Sequence, residues 1–371
     1  MLTGYATPEG TSKFAQSSDA LDSNYKTFGG LALSNVGIGT YLGGADGPTD
    51  AMVSDAIVRS VRAGINVIDT AINYRGQKAE RSVRAAISEL ARDGSVARDG
   101  LFVCTKGGYV TNDADVNLGF WEYVKREYTD TGVVRADDIT SSYHCMTPAY
   151  LSDQLDRSLE NLGLECVDLV YLHNGVEGQI KDVSMGVFLE RLRSAMELYE
   201  AKRAEGKIRY YGMATWECFR VDTASPQYLS LEKVVQMARE VAGSDNHGFR
   251  FVQLPFNMYY DQALIAKNQT IRRRGDGPVS ALEAASSLGV GVFTSVPFMQ
   301  GRLLQPGTMP EFLELDPPLR ALQFIRSAPG VLAPLVGQKA PAHVNENLRI
   351  MKIPPITPEV FAALVAKLTG Q

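Results

Sequence analysis

Short runs of β-branched and apolar residues punctuate the chain at 36–40, 66–69, 102–106, 167–173, 208–214, 251–255, 291–295 and 331–336. Between them, at 49–63, 78–92, 148–162, 187–205, 231–242 and 279–288, apolar positions recur every three or four residues, the period of a helix with one buried face. Alternation of strand and helix predicts a parallel sheet, and eight rounds of it predict closure into a (β/α)8 TIM barrel of the α/β class. Several boundaries carry their own chemistry. Thr147-Pro148 sets a capping hydroxyl before a proline at the first helical position, and Gly163 follows Leu162 as a stop. Ala63-Gly64 and Leu288-Gly289 repeat that stop before the next strand. Gly29-Gly30 reads as the turn of a hairpin ahead of the barrel.

Three segments break the rhythm. Residues 1–26, rich in Ser, Thr, Gly, Asp and Ala, read as a flexible N-terminal arm, leaving 27–371 as a single barrel domain. Residues 109–145 form a long loop after the third strand with Phe120, Trp121, Tyr123, Tyr128, Tyr143 and His144, an aromatic content that predicts an ordered lid. Residues 358–368 read as an extra C-terminal helix covering one end of the barrel.

Composition narrows the function classes. The chain has 371 residues, 45% hydrophobic and 21% charged, enough to bury a large core, and nothing suggests disorder. A formal charge of -5 gives no basic footprint for nucleic acid, and the run Arg272-Arg273-Arg274 reads as a solvated helix end. No stretch approaches the roughly 18 apolar residues of a membrane span. Cys104, Cys145, Cys166 and Cys218 show no CxxC pair, which argues against a disulfide framework or a zinc site and for a reducing, cytoplasmic setting. His144 beside Cys145 has no second ligand pair nearby, so no metal is expected.

In such a barrel, polar residues at the C-terminal ends of strands converge on one mouth. Asp69 ends the second strand, Tyr74 follows in its loop, Lys106 ends the third and His173 the fourth. A tyrosine phenol, with an ordinary pKa of about 10, is a poor acid or base near neutrality unless a cation and hydrogen bonds stabilise its phenolate. Lys106 can supply that cation, Asp69 can hold Lys106 charged and directed, and His173 can orient a substrate carbonyl while Tyr74 exchanges the proton. Taken singly, each has a plain alternative: a helix-capping Asp, a solvated Lys, a His that satisfies a loop. The four together at strand ends carry the functional reading.

Asp69-Thr70-Ala71 with Tyr74, Thr105-Lys106, and Asp168-Leu169-Val170-Tyr171-Leu172-His173 resemble the catalytic signatures of the aldo-keto reductase family. Leu159-Glu160-Asn161-Leu162-Gly163, Gly206-Lys207-Ile208-Arg209-Tyr210-Tyr211-Gly212 and Val344-Asn345-Glu346-Asn347 extend the similarity from about Leu33 to Met351. The resemblance implies catalysis by Asp69, Tyr74, Lys106 and His173, and an extended NAD(P) held without a Rossmann fold. No GxGxxG follows the first strand, in keeping with that. It further implies that Gln253 contacts the nicotinamide amide and that Gly337, Gln338, Lys339, His343, Glu346 and Asn347 surround the adenosine end. Lys339 can attract a 2′-phosphate, favouring NADP over NAD.

The chain departs from the family pattern in three places. Ala214-Thr215 stands where the family commonly has Ser-Asn, with Thr215 left to compensate. Ser295 stands where an aromatic ring usually stacks on the nicotinamide, and His343 replaces a frequent arginine, which weakens the preference for NADP. The expected function is hydride transfer between NAD(P)H and an aldehyde or ketone, or the corresponding alcohol, with sugars slightly favoured over large apolar molecules. Substrate choice falls to the 109–145 insertion and the loop after His173. A cofactor-sensing regulatory barrel with a protein partner is the alternative. A Schiff-base lyase using Lys106 is opposed by the nearby Asp69, which favours a charged lysine.

Overall fold

The computed structural model describes residues 1–369 apart from Arg273, Arg274 and Asp276. Of the arginine run at 272–274, only Arg272 falls among them, exposed in a turn. An antiparallel hairpin, β1 (Tyr25–Phe28) and β2 (Leu31–Ser34), turns on Gly29-Gly30. Eight parallel strands then close a barrel: β3 (Gly37–Gly39), β4 (Val67–Asp69), β5 (Phe102–Gly107), β6 (Val167–His173), β7 (Ile208–Ala214), β8 (Phe249–Pro255), β9 (Gly291–Ser295) and β10 (Val331–Gly337), with β10 pairing β3. The expected (β/α)8 barrel is therefore the observed fold.

The outer helices match the predicted periods. Lys78–Arg92, Pro148–Leu162 and Leu231–Ala242 fall where expected, while Gly47–Arg62, Met185–Ala204 and Ala281–Leu288 shift by one or two residues at their ends. The Thr147 hydroxyl accepts from the Tyr150 amide, and Gly163 takes a left-handed φ of 67° that a side chain would resist. The helix Pro317–Ser327 was not among the predicted segments. Arg320, Gln323 and Arg326 recur every three residues along it, a helical period that the sequence reading passed over, and all three are buried. The expected C-terminal helix, Pro358–Thr369, packs through Phe361 on Phe324 of that helix.

Residues 1–26, expected as a flexible arm, are packed on the barrel. A helix, Pro8–Ser17, is capped by the Thr7 hydroxyl and buries Phe14, and the Ala6 amide donates to Asp168 Oδ1 at 2.6 Å. The physical reason is the Thr7-Pro8 pair, the same start device as Thr147-Pro148, followed by an apolar anchor. Asp168 also pairs with Arg98 at 2.8 Å beneath the barrel wall, so the segment is tied to a buried ion pair.

Period-two alternation sorts the strands. On β5, Phe102, Cys104 and Lys106 point into the barrel, and on β6 so do Leu169, Tyr171 and His173. Phe102, Phe251 and Phe293 fill the lower interior, where the hairpin residues Leu31 and Leu33 pack from below. The polar members of the same inward rows, Asp69, Lys106, His173 and Gln253, lie toward the C-terminal ends of their strands and so gather at the mouth. The 109–145 insertion buries Tyr123, Val124, Tyr128 and Cys145 together against Tyr150 of the helix Pro148–Leu162. Among the described residues no helix is long and apolar enough to cross a membrane.

Candidate active site

Lys106 lies in the barrel wall with 1% of its surface exposed. Its Nζ donates to Asp69 Oδ2 at 2.6 Å and to the Thr70 carbonyl at 2.8 Å, and sits 4.8 Å from the centre of the Tyr74 ring. Burial works against the ammonium, but Asp69 and the Tyr74 phenol outweigh it, so Lys106 titrates above an ordinary lysine. Burial pushes the Asp69 carboxyl up, against Lys106 and Gln253, which pull it down. Gln253 Nε2 donates to Asp69 Oδ1 at 2.9 Å, so both carboxylate oxygens are engaged. Burial also raises the Tyr74 phenol, and Lys106 is the chief influence that lowers it.

His173 stands across from Tyr74, the two rings edge to face with centroids 5.8 Å apart. Burial, then Lys106 and His144, hold its imidazole far below the ordinary value, so it is neutral at physiological pH. Its Nδ1 is buried and makes no hydrogen bond to the protein. The four residues named from the sequence thus meet at one mouth, opening on a cavity of about 550 Å³.

Thr215, Gln253, Ser295, Gly337 and His343 also line this cavity. Gln338, Lys339, Glu346 and Asn347 lie off it: Gln338 bridges Ser60 and Asn347, while Lys339 and Glu346 are half-buried. Thr215 does not stand free to compensate for the missing Ser-Asn pair. Its hydroxyl donates to Glu177 Oε1 at 2.6 Å, and that oxygen also accepts from the Trp216 and Glu217 amides at 2.7 Å each. Among the described residues of the 109–145 insertion only Tyr109 reaches the cavity; Trp121 and Tyr143 face outward. Sequence reasoning missed Tyr41, Trp216, Phe298 and Gln300 in the lining, and covered Tyr109 and Asn174 only as members of the two segments assigned to substrate choice. Both of these closely follow the end of a mouth-forming strand, the signal that could have singled them out.

The donor set suits a nicotinamide dinucleotide. Gln253 and Asn174 each spend their amide N–H on a protein acceptor, leaving carbonyl oxygens for a carboxamide. Gly337 and Gly301 border the groove with open space where a Cβ would stand. His343 sits in the first turn of the helix Pro341–Leu348, whose N-terminus has no side-chain cap, a setting that favours an anion. Lys339 makes no salt bridge among the described residues, so its charge is open to a phosphate. Among the described residues no cluster of three or more His, Cys, Asp or Glu side chains is placed to hold a metal.

A closed parallel barrel whose mouth pairs a buried lysine with a carboxylate, a phenol and a neutral imidazole has the features of a (β/α)8 oxidoreductase. The chain belongs to the aldo-keto reductase family, whose model matches residues 35–308. A NADH-specific methylglyoxal reductase of Escherichia coli is 26% identical over 189 residues, 50% of this chain but only 49% of that enzyme. An uncharacterized oxidoreductase of Bacillus subtilis, YqkF, is 21% identical over 90% of this chain and 92% of its own length. Among solved structures, an aldo/keto reductase of Klebsiella pneumoniae in complex with NADP and acetate superposes with a TM-score of 0.59 at 20% identity, covering 93% of this chain and 95% of that one. The holo form of an aldo-keto reductase of Bacillus halodurans gives 0.61 at 19% identity, covering 93% and 96%.

Proposed function

We propose that this protein is an NAD(P)H-dependent reductase of small aldehydes or ketones, able to run in reverse on the corresponding alcohol, with Tyr74 as general acid and base. The observation that carries the reading is the fully buried Lys106, bonded to Asp69 and set against Tyr74. A buried ammonium is costly unless it is paired, and here the two groups it meets, Asp69 and Tyr74, line a cavity. When bound, the nicotinamide supplies or accepts the hydride.

Tyr74 gives its hydroxyl proton to the substrate oxygen. Lys106 stabilises the phenolate that remains, and Asp69, braced by Gln253, keeps the ammonium charged and aimed. The neutral His173 offers a ring N–H to the same oxygen and fixes its direction without adding a second charge beside Lys106. Tyr41, Leu42, Trp216, Phe298 and Leu304 give the cavity apolar walls. Substrate and nicotinamide share about 550 Å³, which favours a small carbonyl compound, sugars included, over a large apolar ring system. Lys339 supports NADP, whereas His343 and the NADH-specific relative keep NAD in view.

The test is a fluorescence titration with NADPH and NADH, followed by cofactor consumption over a panel of aldehydes, ketones and sugars, with Tyr74→Phe alongside. Tyr74→Phe should bind cofactor as the wild type does and lose about 10²- to 10⁴-fold in turnover. Failure of the wild type to bind either cofactor, or full activity in Tyr74→Phe, rejects the proposal.

A further inference from the structure

We infer that His144, brought in by the insertion after β5, is a positioning residue that holds His173 in place at the cavity mouth. This rests on the reading of His173 as the group that orients the substrate oxygen. His144 is fully buried, and its Nε2 lies 2.8 Å from the backbone carbonyl oxygen of His173. Its Nδ1 lies 3.0 Å from Gln179 Nε2.

The direction of these bonds follows from one end of the chain of contacts. Arg191 can only donate, and its guanidinium meets Gln179 Oε1. That fixes the Gln179 amide with its N–H toward His144, so Nδ1 of His144 accepts. The remaining proton is therefore on Nε2, which donates to the His173 carbonyl. Burial pushes the His144 pKa down to about 4, so this neutral donor form holds through the neutral range.

The surroundings are cut to the ring. A Cβ at Gly108 would stand 2.6 Å from His144 Nε2, and one at Gly178 would stand 2.5 Å from its ring carbons, so a side chain at either position would evict it. Tyr109 sets its ring edge to face against both histidines, 5.2 Å from His144 and 5.1 Å from His173, and itself lines the cavity. His173 has no hydrogen-bond partner at Nδ1, so its ring is placed by its own backbone and by the flanking rings. His144 holds the first and, through Tyr109, supports the second. An insertion that touches the cavity at one residue thereby reaches the proposed reacting group from behind.

Steady-state kinetics on the full chain, with NADPH and the carbonyl compound turned over best in the panel above, test the inference. His144→Phe should lower kcat about tenfold, the rate equivalent of one hydrogen bond, with KM and cofactor Kd unmoved. His144→Gln, which keeps an N–H at the same reach, should recover most of it. In a His173→Ala background, His144→Phe should cost nothing further, an outcome that a merely structural role does not give. Should His144→Phe fail to fold, Gly178→Ala displaces the ring without changing its chemistry and should show the same loss. An unchanged kcat, or an equal loss with His173 absent, overturns the inference while leaving the reductase reading intact. A His173→Ala variant as active as the wild type removes that reading instead, and the inference with it.

Discussion

Replacing Lys106 with Met keeps an unbranched stem and removes the cation. Its ammonium satisfies Asp69 Oδ2 at 2.6 Å and the Thr70 carbonyl at 2.8 Å, so Lys106→Met leaves both acceptors without that donor and Asp69 with Gln253 alone. Breaking a buried ion pair on one side costs about 3–5 kcal/mol. With about 2.1 cal/mol/K of unfolding entropy per residue, 371 residues give about 0.8 kcal/mol/K, so the apparent Tm should fall by about 4–6 °C. The loss should depend on pH. Burial already holds the Asp69 carboxyl above its ordinary value, and the variant removes the Lys106 influence that opposed it. A group whose folded pKa is raised contributes stability that is present below its unfolded pKa and lost as pH rises through the folded one. The deficit against wild type should therefore be smaller at pH 5 than at pH 8. Adding Asp69→Asn removes the orphaned carboxylate and should return part of the loss, making the double variant more stable than Lys106→Met alone. Thermal unfolding by circular dichroism at the two pH values decides it. A Lys106→Met protein as stable as wild type at pH 8, or a double variant whose losses simply add, refutes the buried-pair reasoning.

His247 is buried with neither ring nitrogen hydrogen-bonded, and burial, with Arg250 and Arg239, brings its pKa down to about 4. Its folded pKa lies below the unfolded value of about 6.5, so stability present above that value drains away as pH falls toward 4. His247→Leu should flatten the decline of Tm between pH 6.5 and 4.5, and an unchanged slope counts against this account. Arg326, fully buried, donates to Gln323 Oε1, Asn24 Oδ1 and the Ile350 and Ile353 carbonyls at 2.6–3.0 Å. Arg326→Leu leaves Gln323 Oε1 and the Ile353 carbonyl without that donor, each worth about 1–3 kcal/mol, while the Ile350 carbonyl keeps the Ile353 amide and Asn24 Oδ1 keeps Asn35. It should speed hydrogen exchange in residues 22–26 and 350–354, and unaltered exchange there rejects the clamp. Ser295→Tyr places a ring on the cavity wall; at about 1 kcal/mol for an aromatic stack it should tighten NADPH about fivefold by fluorescence titration, and weaker or equal binding argues against a nicotinamide at that wall.

The barrel and the four proposed catalytic residues were legible in the sequence because strand geometry turns order into position. Phe102, Cys104 and Lys106 alternate inward, so a polar residue late in an apolar run has to emerge at the mouth. The helix Pro317–Ser327 carries a polar period at Arg320, Gln323 and Arg326, but the burial of that polar row is a tertiary fact that the sequence does not announce. Composition misled at the N-terminus, where Thr7-Pro8 and Phe14 outweighed the polar average. The supports of the site were out of reach for a different reason. His144 meets His173 and Gln179, and Glu177 meets Thr215, across 29 to 38 residues of loop and strand, and no period links such positions.

Two of the three departures from the family pattern fall together, while the third, His343, lies in the helix Pro341–Leu348 after β10. Asp69, Tyr74, Lys106 and His173 come from β4, β5, β6 and the loop after β4, and there the resemblance is intact. Ala214, Thr215 and Ser295 come from β7 and β9, the two strands flanking Gln253 on β8, since Ala214 pairs with Gln253 and Ser295 with Pro255. The altered residues thus border one wall, the side assigned to the nicotinamide, while the side assigned to the proton is unaltered. The desolvation cost of Lys106 and Asp69 persists whether or not a cofactor binds, which the proposed proton chemistry accounts for. Gln253 joins the two sides, donating to Asp69 while presenting its carbonyl to the cavity, so the rebuilt wall remains mechanically tied to the group that aims the lysine.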